Sequence, residues 1–243
     1  MSLHLGKTEA ILFGSKRKLN KVSSYDVLCN GVSVKRVRSV KYLGFSLDEC
    51  ITGSEHQESV MSKIAGRLSF LYRHSRVLNG RARVTLCSSL IQPHMDYCCS
   101  AWYSGLSVRL KGRLDILQRK MARFCLFMGP RDHIGLDELR NLSWLSIPRR
   151  VDYFKILHVY RILNCISAGY LNGSYGVISG VHDHGTRSAT GGDIYLPNNF
   201  SSTFRHSFYV TAAKAWNKLP ANLRTVSSLY VFRRKLHTFL LNS

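Results

Sequence analysis

Carboxylates are scarce in this chain: 14 Asp+Glu stand against 35 Lys+Arg, and no two aspartates are adjacent. That scarcity withholds the paired carboxylates on which two-metal phosphoryl transfer depends. No Gly-x-Ser-x-Gly segment is present to form a hydrolase nucleophile elbow. A long uncharged apolar run is also missing, so no membrane-spanning helix is expected. The opening Met1-Ser2-Leu3-His4 does not begin the charged-then-apolar segment of a secretory signal. The seven cysteines are odd in number and follow no framework spacing, which fits reduced, mostly buried thiols. Internal repeats and low-complexity tracts are absent.

What the chain does have is positive charge and enough apolar material for a core. Its 243 residues are 45% hydrophobic and 20% charged, the balance of a globular protein. A net charge of +21 favours a polyanionic partner through phosphate neutralisation and counterion release. Nucleic acid is the leading partner and an anionic membrane surface the lesser one, with no membrane insertion expected. The charge permits a nuclear location as well as a cytoplasmic one without choosing between them.

The pattern from Glu9 to Asp48 is β-rich. Ala10-Ile11-Leu12-Phe13 is a short apolar run, and Asn30-Gly31 between two Val-rich runs predicts a type I′ hairpin. Val40 to Leu47 predicts a further strand. The period then changes. Ser54 with Gln57 reads as a capping box, ahead of Val60, Ile64, Leu68 and Leu71 at helical spacing, with Gly80 as the stop. A second helical stretch, 82–97, should kink at Pro93. The third, 108–128, carries an apolar face (Leu110, Leu114, Leu117, Met121, Phe124, Met128) and a basic remainder. Gly129-Pro130 marks the best domain boundary. Beyond it lie a helix over 149–167 that is apolar around most of its circumference, and a Gly/Ser/Asn-rich loop over 169–200 with a short strand at Ile194-Tyr195-Leu196. Two closing helices carry Phe204, Phe208, Ala212, Ala215 and Leu219, then Leu229, Phe232, Leu236, Phe239 and Leu240.

Several segments, in this order, resemble the end of a reverse transcriptase of the jockey-like non-LTR (LINE-class) retrotransposons. Leu3-His4-Leu5-Gly6-Lys7-Thr8-Glu9 is similar to that family's Leu-Asn-x-x-Lys-Thr-Glu element late in the palm, with His4 where the family commonly has asparagine. Lys41-Tyr42-Leu43-Gly44-Phe45-Ser46-Leu47-Asp48 resembles the primer-grip element. Ile91-Gln92-Pro93-His94-Met95-Asp96-Tyr97 with Trp102 resembles the thumb pattern Ile-x-Pro-x-x-x-Tyr … Trp, and Leu117-Gln118-Arg119 its Leu-Gln-x-Arg. Ala212 through Pro220 contains the closing signature Ala-x-x-x-Trp-Asn-x-Leu-Pro. The resemblance implies an α+β, predominantly helical fold. Its parts would be a β-rich palm remnant (1–48), a helical thumb (54–128) and a helical C-terminal domain (129–243).

By the same resemblance Lys7 stands beside an incoming nucleotide, and Leu43-Gly44 grips the primer, where a glycine lets backbone approach a sugar-phosphate closely. Arg109, Arg113 and Lys120 on the basic helix are the candidate contacts to template–primer backbone. The intact polymerase would bind two Mg ions. This chain has no counterpart of the Tyr-x-Asp-Asp turn that carries them, so it is expected to bind no cofactor and to have no polymerase activity alone. Its partners would be RNA or RNA–DNA duplex and the missing fingers and palm. The alternatives are a stand-alone basic nucleic-acid-binding protein and a retroelement relic without function. His94 with Cys98-Cys99, and His182-x-His184, read as structural residues rather than metal ligands, because no second ligand pair stands at finger spacing. Trp102 and Trp216 could stack on bases; for Trp216, on an apolar helix face, core packing is the favoured reading.

Overall fold

Turn chemistry shapes the first fifty residues. The computed structural model describes residues 4–22, 26–178, 192–196 and 201–243. β1 (Glu9–Ile11) leads into a single helical turn, α1 (Lys16–Leu19), then β2 (Val27–Cys29) and β3 (Val32–Val37). The sheet order is β1-β3-β2, with β3 parallel to β1 and antiparallel to β2. Asn30 and Gly31 join β2 to β3 with φ of 52° and 78°, the paired positive values of the predicted type I′ turn.

The single strand expected over 40–47 is instead a second hairpin. β4 (Ser39–Tyr42) and β5 (Phe45–Asp48) pair antiparallel around Leu43 and Gly44, with φ of 47° and 83°. Two successive left-handed residues reverse the chain within a run whose apolar pattern suggests continuity. Among the described residues before Gly53, only Leu19 and Val34 are buried, so these strands hold little core of their own.

α2 (Ser54–Arg73) begins differently from the expected capping box. Gly53, with φ of 67°, is the cap residue, and Ser54 is already helical. The acceptor is Asp48, whose carboxylate takes N–H groups from Cys50 (3.1 Å), Thr52 (3.0 Å) and Gly53 (2.8 Å) and the Thr52 hydroxyl (3.1 Å). Asp48 thus fixes the loop that leads into the helix, the Ser54 N–H donates to the Thr52 hydroxyl at 3.3 Å, and Gln57 turns fully into the core. Val60, Met61, Ile64, Leu68 and Leu71 then bury one face of the helix.

Gly80 starts a helix rather than stopping one. α2 ends at Arg73, and α3 (Gly80–Leu86) opens behind Asn79, whose side chain accepts from Ala82 N–H at 2.8 Å. A π-helical stretch, Cys87–Ile91, connects α3 to α4 (Gln92–Asp96), which has Pro93 in its first turn. The predicted kink therefore takes the form of a widened turn, which absorbs the donor that proline lacks. α5 (Cys99–Trp102) follows.

α6 (Val108–Cys125) starts at Ser107, whose hydroxyl accepts from Leu110 N–H at 3.4 Å. It ends three residues short of the predicted Met128. Phe127 adopts φ of 58°, and Met128 N–H returns to the Arg123 carbonyl at 3.0 Å, a helix-ending reversal. Arg83 makes this stop possible. Its buried guanidinium lies 3.7 Å from the Phe127 ring centre and donates to the carbonyls of Ser75, Leu78 and Phe124.

α7 (Leu136–Asn141) and α8 (Ile147–Leu163) come next. Buried residues on both sides of Gly129-Pro130 share one cluster: Ile64, Leu68, Met121 and Phe124 with Ile134, Leu139 and Trp144. α8 stops at Leu163 rather than near Ser167, because Cys165 turns left-handed (φ 55°) and Ile166 N–H bonds back to the Arg161 carbonyl at 2.8 Å. α9 (Ser202–Arg205), α10 (Phe208–Asn217), α11 (Ala221–Arg224) and α12 (Leu229–Asn242) close the chain. The first expected closing helix is thus split, because the Ser207 hydroxyl caps a fresh start at α10 (3.5 Å to Val210 N–H). Tyr160 stacks on Phe232 (centroids 4.1 Å apart), and Trp216 packs beside the same ring. The fold is α+β with helices dominating.

Candidate nucleic-acid interface

The β4–β5 hairpin is docked on the helical body from both ends. Underneath, Ser46 N–H donates to His56 Nδ1 at 3.4 Å, and the Phe45 ring lies 4.5 Å from the His56 ring. Burial, then the charge of Lys63, holds the His56 imidazole below its usual range, so the ring stays neutral and keeps an acceptor for Ser46. At the tip, the Tyr97 hydroxyl donates to the Leu43 carbonyl, and a side chain at Gly44 would meet that hydroxyl at 3.4 Å. The Leu43 side chain is 77% exposed. Leu43 and Gly44, both candidate contacts, therefore form a braced, projecting turn.

Lys7 lies elsewhere. It ends a 3-10 turn, Leu5–Lys7, in which the His4 carbonyl accepts Lys7 N–H at 3.0 Å and the Thr8 hydroxyl at 3.0 Å. Histidine in place of asparagine at position 4 is compatible with this turn, because the acceptor is backbone. Lys7 is exposed and borders a cavity of about 360 Å³ with Thr8, Glu9, Val32, Ser33 and Lys35. None of the other candidate residues lines that cavity.

Arg109, Arg113 and Lys120 are all exposed on α6. Lys120 borders a groove of about 410 Å³ between α2 and α6, shared with Ala65, Ser69, Tyr72, Arg123 and Met128. There the Tyr72 hydroxyl donates to the Lys120 carbonyl at 3.1 Å. Arg119, by contrast, is paired with Asp115 at 2.8 Å.

Both tryptophans considered for base stacking are core residues. Trp102 and Trp216 are each 3% exposed, and their indole N–H groups donate to the carbonyls of Tyr97 (2.9 Å) and Gly192 (3.1 Å). Neither presents a face for stacking. Asn217, next in the Trp-Asn-x-Leu-Pro motif, brackets Ile194, accepting its N–H at 2.8 Å and donating to its carbonyl at 2.9 Å. The strand expected at 194–196 is reduced to one bridge, Val177 to Ile194, with this side chain acting as the second strand.

The carboxylates present do not fit a two-magnesium site. Among the described residues no group of three His, Cys, Asp or Glu side chains could hold a metal ion. Asp48 is committed to the loop before α2, and Asp96 to Arg150. His94 contacts Arg67, Cys98 is exposed, and Cys99 is buried, which pushes its thiol up to about 12. His182 and His184 lie outside the described residues. No helix among the described residues is long and apolar enough to cross a membrane.

Pattern reading missed Asp48, His56 and the bracing role of Tyr97. A lone Asp four residues before a Thr-Gly pair was the available signal for the first; the others depend on contacts distant in sequence.

Over 129 residues the chain is 24% identical to a Drosophila melanogaster protein described as a probable RNA-directed DNA polymerase from transposon X-element. The match covers 51% of this chain and 13% of that protein, so the chain corresponds to a small part of its relative. No family profile matches the chain, and no solved structure matches it. The similarity relates the chain distantly to a transposon's RNA-directed DNA polymerase.

Proposed function

We propose that this chain is the non-catalytic, backbone-holding part of a jockey-like non-LTR retrotransposon reverse transcriptase: the end of the palm (1–48), the thumb (54–128) and a C-terminal domain (129–243). Its task is sequence-independent contact with RNA or RNA–DNA duplex. Polymerisation itself belongs to the fingers and palm, with their two Mg ions. The observation that carries this reading is the bond from Tyr97 to Leu43. It joins two motif residues that the resemblance assigns to the thumb and to the primer grip, 54 positions apart. The distant polymerase similarity and the +21 charge support it. On this reading Leu43 and Gly44 approach the primer, Lys7 approaches the nucleotide in the complete enzyme, and Arg109, Arg113 and Lys120 contact phosphates.

The test is binding of the chain to an RNA–DNA hybrid with a recessed 3′ end, across a salt series. A steep decline with salt and a preference for the recessed end over a blunt hybrid are expected. Equal affinity for both ends would instead favour a general nucleic-acid binder, and salt-insensitive binding would overturn backbone contact altogether.

A further inference from the structure

Two rows of side chains on neighbouring helices meet in a positively charged ridge beside the hairpin tip. On α2 and its cap residue the exposed side chains Lys63, Arg67, Phe70 and His74 recur at helical spacing and share one flank. Beside them exposed Leu90 on the π-helical turn, half-buried His94 on α4 and exposed Tyr97 just past its end make a second row. Arg67 ties the rows together, because its Nη1 donates to the Leu90 carbonyl and to His94 Nε2. An imidazole that accepts this bond is neutral at Nε2, and the depression of His94 by burial, then by Arg67 and Lys63, agrees.

One feature distinguishes this ridge from an ordinary solvated face. Among the described residues no carboxylate pairs with Lys63 or Arg67, a state they share with Arg109, Arg113 and Lys120 on α6. Here, however, the cations alternate with exposed apolar and aromatic groups, Phe70, Leu90 and Tyr97. Cations for phosphate and rings for base or sugar are the combination a nucleic-acid strand uses. One Nη of Arg67 is already held, so its fork is pre-oriented and less side-chain freedom is lost on binding. The ridge is distinct from the α6 groove, which lies along the opposite flank of α2 at Ala65, Ser69 and Tyr72. Tyr97 links it directly to the Leu43-Gly44 turn.

We propose that Lys63, Arg67 and His94 form a phosphate-contacting ridge that continues from the Leu43-Gly44 turn and takes the sugar-phosphate backbone of a duplex. This assignment rests on the nucleic-acid reading above.

The experiment titrates the wild-type chain, the K63A/R67A double variant and the Lys63→Glu variant with a fluorescent RNA–DNA hybrid over a salt series. The double variant is expected to flatten the log-affinity against log-salt slope by about 1.8, the loss of two phosphate contacts. Lys63→Glu, at a residue with no protein partner to lose, is expected to weaken binding further at low salt while melting like the wild type. An unchanged slope and affinity in these variants would overturn the ridge but leave the broader reading standing if the wild type binds. A wild type that does not bind the hybrid would overturn both. Vesicles of phosphatidylcholine and phosphatidylserine supply the last arm: binding to them that these variants abolish, with hybrid affinity intact, would reassign the ridge to a membrane surface.

Discussion

Arg150, near the start of α8, grips Asp96 at the end of α4 with two prongs, its Nη2 lying 2.6 Å from Oδ2. Both side chains are only 22% exposed, so the pair is shielded from solvent. It fastens the α4 segment, and with it Tyr97 and the hairpin tip, to the helix that runs into the C-terminal core. Asp96→Ala strands a half-buried guanidinium and is expected to cost about 2 kcal/mol. Asp96→Asn, which keeps an acceptor, should cost less. Urea denaturation measures both; equal stability in all three proteins would show that packing alone joins these helices.

Leu43 carries a conformational penalty. A left-handed backbone costs a non-glycine residue about 1–2 kcal/mol, and this leucine is exposed besides. Leu43→Asn is expected to raise stability by about 1 kcal/mol while weakening binding to the RNA–DNA hybrid, separating folding from function. Gly44→Val should lower stability by about 2 kcal/mol, since a β-branched residue must take φ of 83° beside the Tyr97 hydroxyl. A Leu43→Asn protein that binds as tightly as wild type would remove this side chain from the interface.

The hairpin is expected to loosen in acid. His56 has a folded-state pKa below its ordinary 6.5, so the unfolded chain binds the proton more readily than the folded one. Stability contributed by the neutral ring is complete above about pH 6.5 and is lost as pH falls from there toward the depressed value. His158 and His237, lowered mainly by burial, act in the same direction. His56→Gln should therefore flatten only part of the acid slope of the melting temperature. If the slope in the variant equals that of wild type, His56 is not the group being protonated.

Lys155 responds at the other end of the pH scale. Only 3% exposed, it donates to the Ser104 hydroxyl at 2.6 Å, and burial depresses its pKa from the ordinary 10.5. The unfolded chain again binds more protons, so stability should rise as pH climbs from the depressed value toward 10.5. Lys155→Met is expected to abolish that rise and to be neutral or stabilising by about 1 kcal/mol at neutral pH. Chemical denaturation at neutral pH and near pH 9 reads both effects.

Asn217 has a structural task within its motif. Asn217→Ala would leave both backbone groups of Ile194 without their partner and is expected to cost about 2 kcal/mol. Asn217→Asp keeps only the acceptor and should fall between. Hydrogen exchange at Ile194 distinguishes a local release from global destabilisation.

How much of this was readable from the chain varies with the range of the interaction. The Asn30-Gly31 turn, the kink near Pro93 and the start of the helix predicted over 108–128 follow from local φ preferences, a missing donor and apolar periodicity, and the structure contains each. The Leu43-Gly44 turn was legible only in part: Gly44 allows a plain β-turn as readily as a primer contact, but a leucine argues against a left-handed residue inside an apolar run read as one strand. The bond from Tyr97 and the contacts of His56, both distant in sequence, hold that conformation. The capping box at Ser54 failed because the chain turns one residue earlier: Gly53 is left-handed, its carbonyl takes the Gln57 N–H at 3.1 Å, and the Ser54 N–H goes to the Thr52 hydroxyl at 3.3 Å.

Composition determined the +21 net charge on which the nucleic-acid proposal rests, and periodicity determined most of the helices and their buried faces, because it is a property of residues within a turn or two of each other. Tertiary structure decided which side chains lie together. Lys63 and Arg67 share helical spacing on α2, but nothing along the chain ties the neutral His94 to them. They become one surface only when the kinked 80–97 segment folds back against α2 and brings the Leu90 carbonyl and the His94 ring within reach of a single guanidinium.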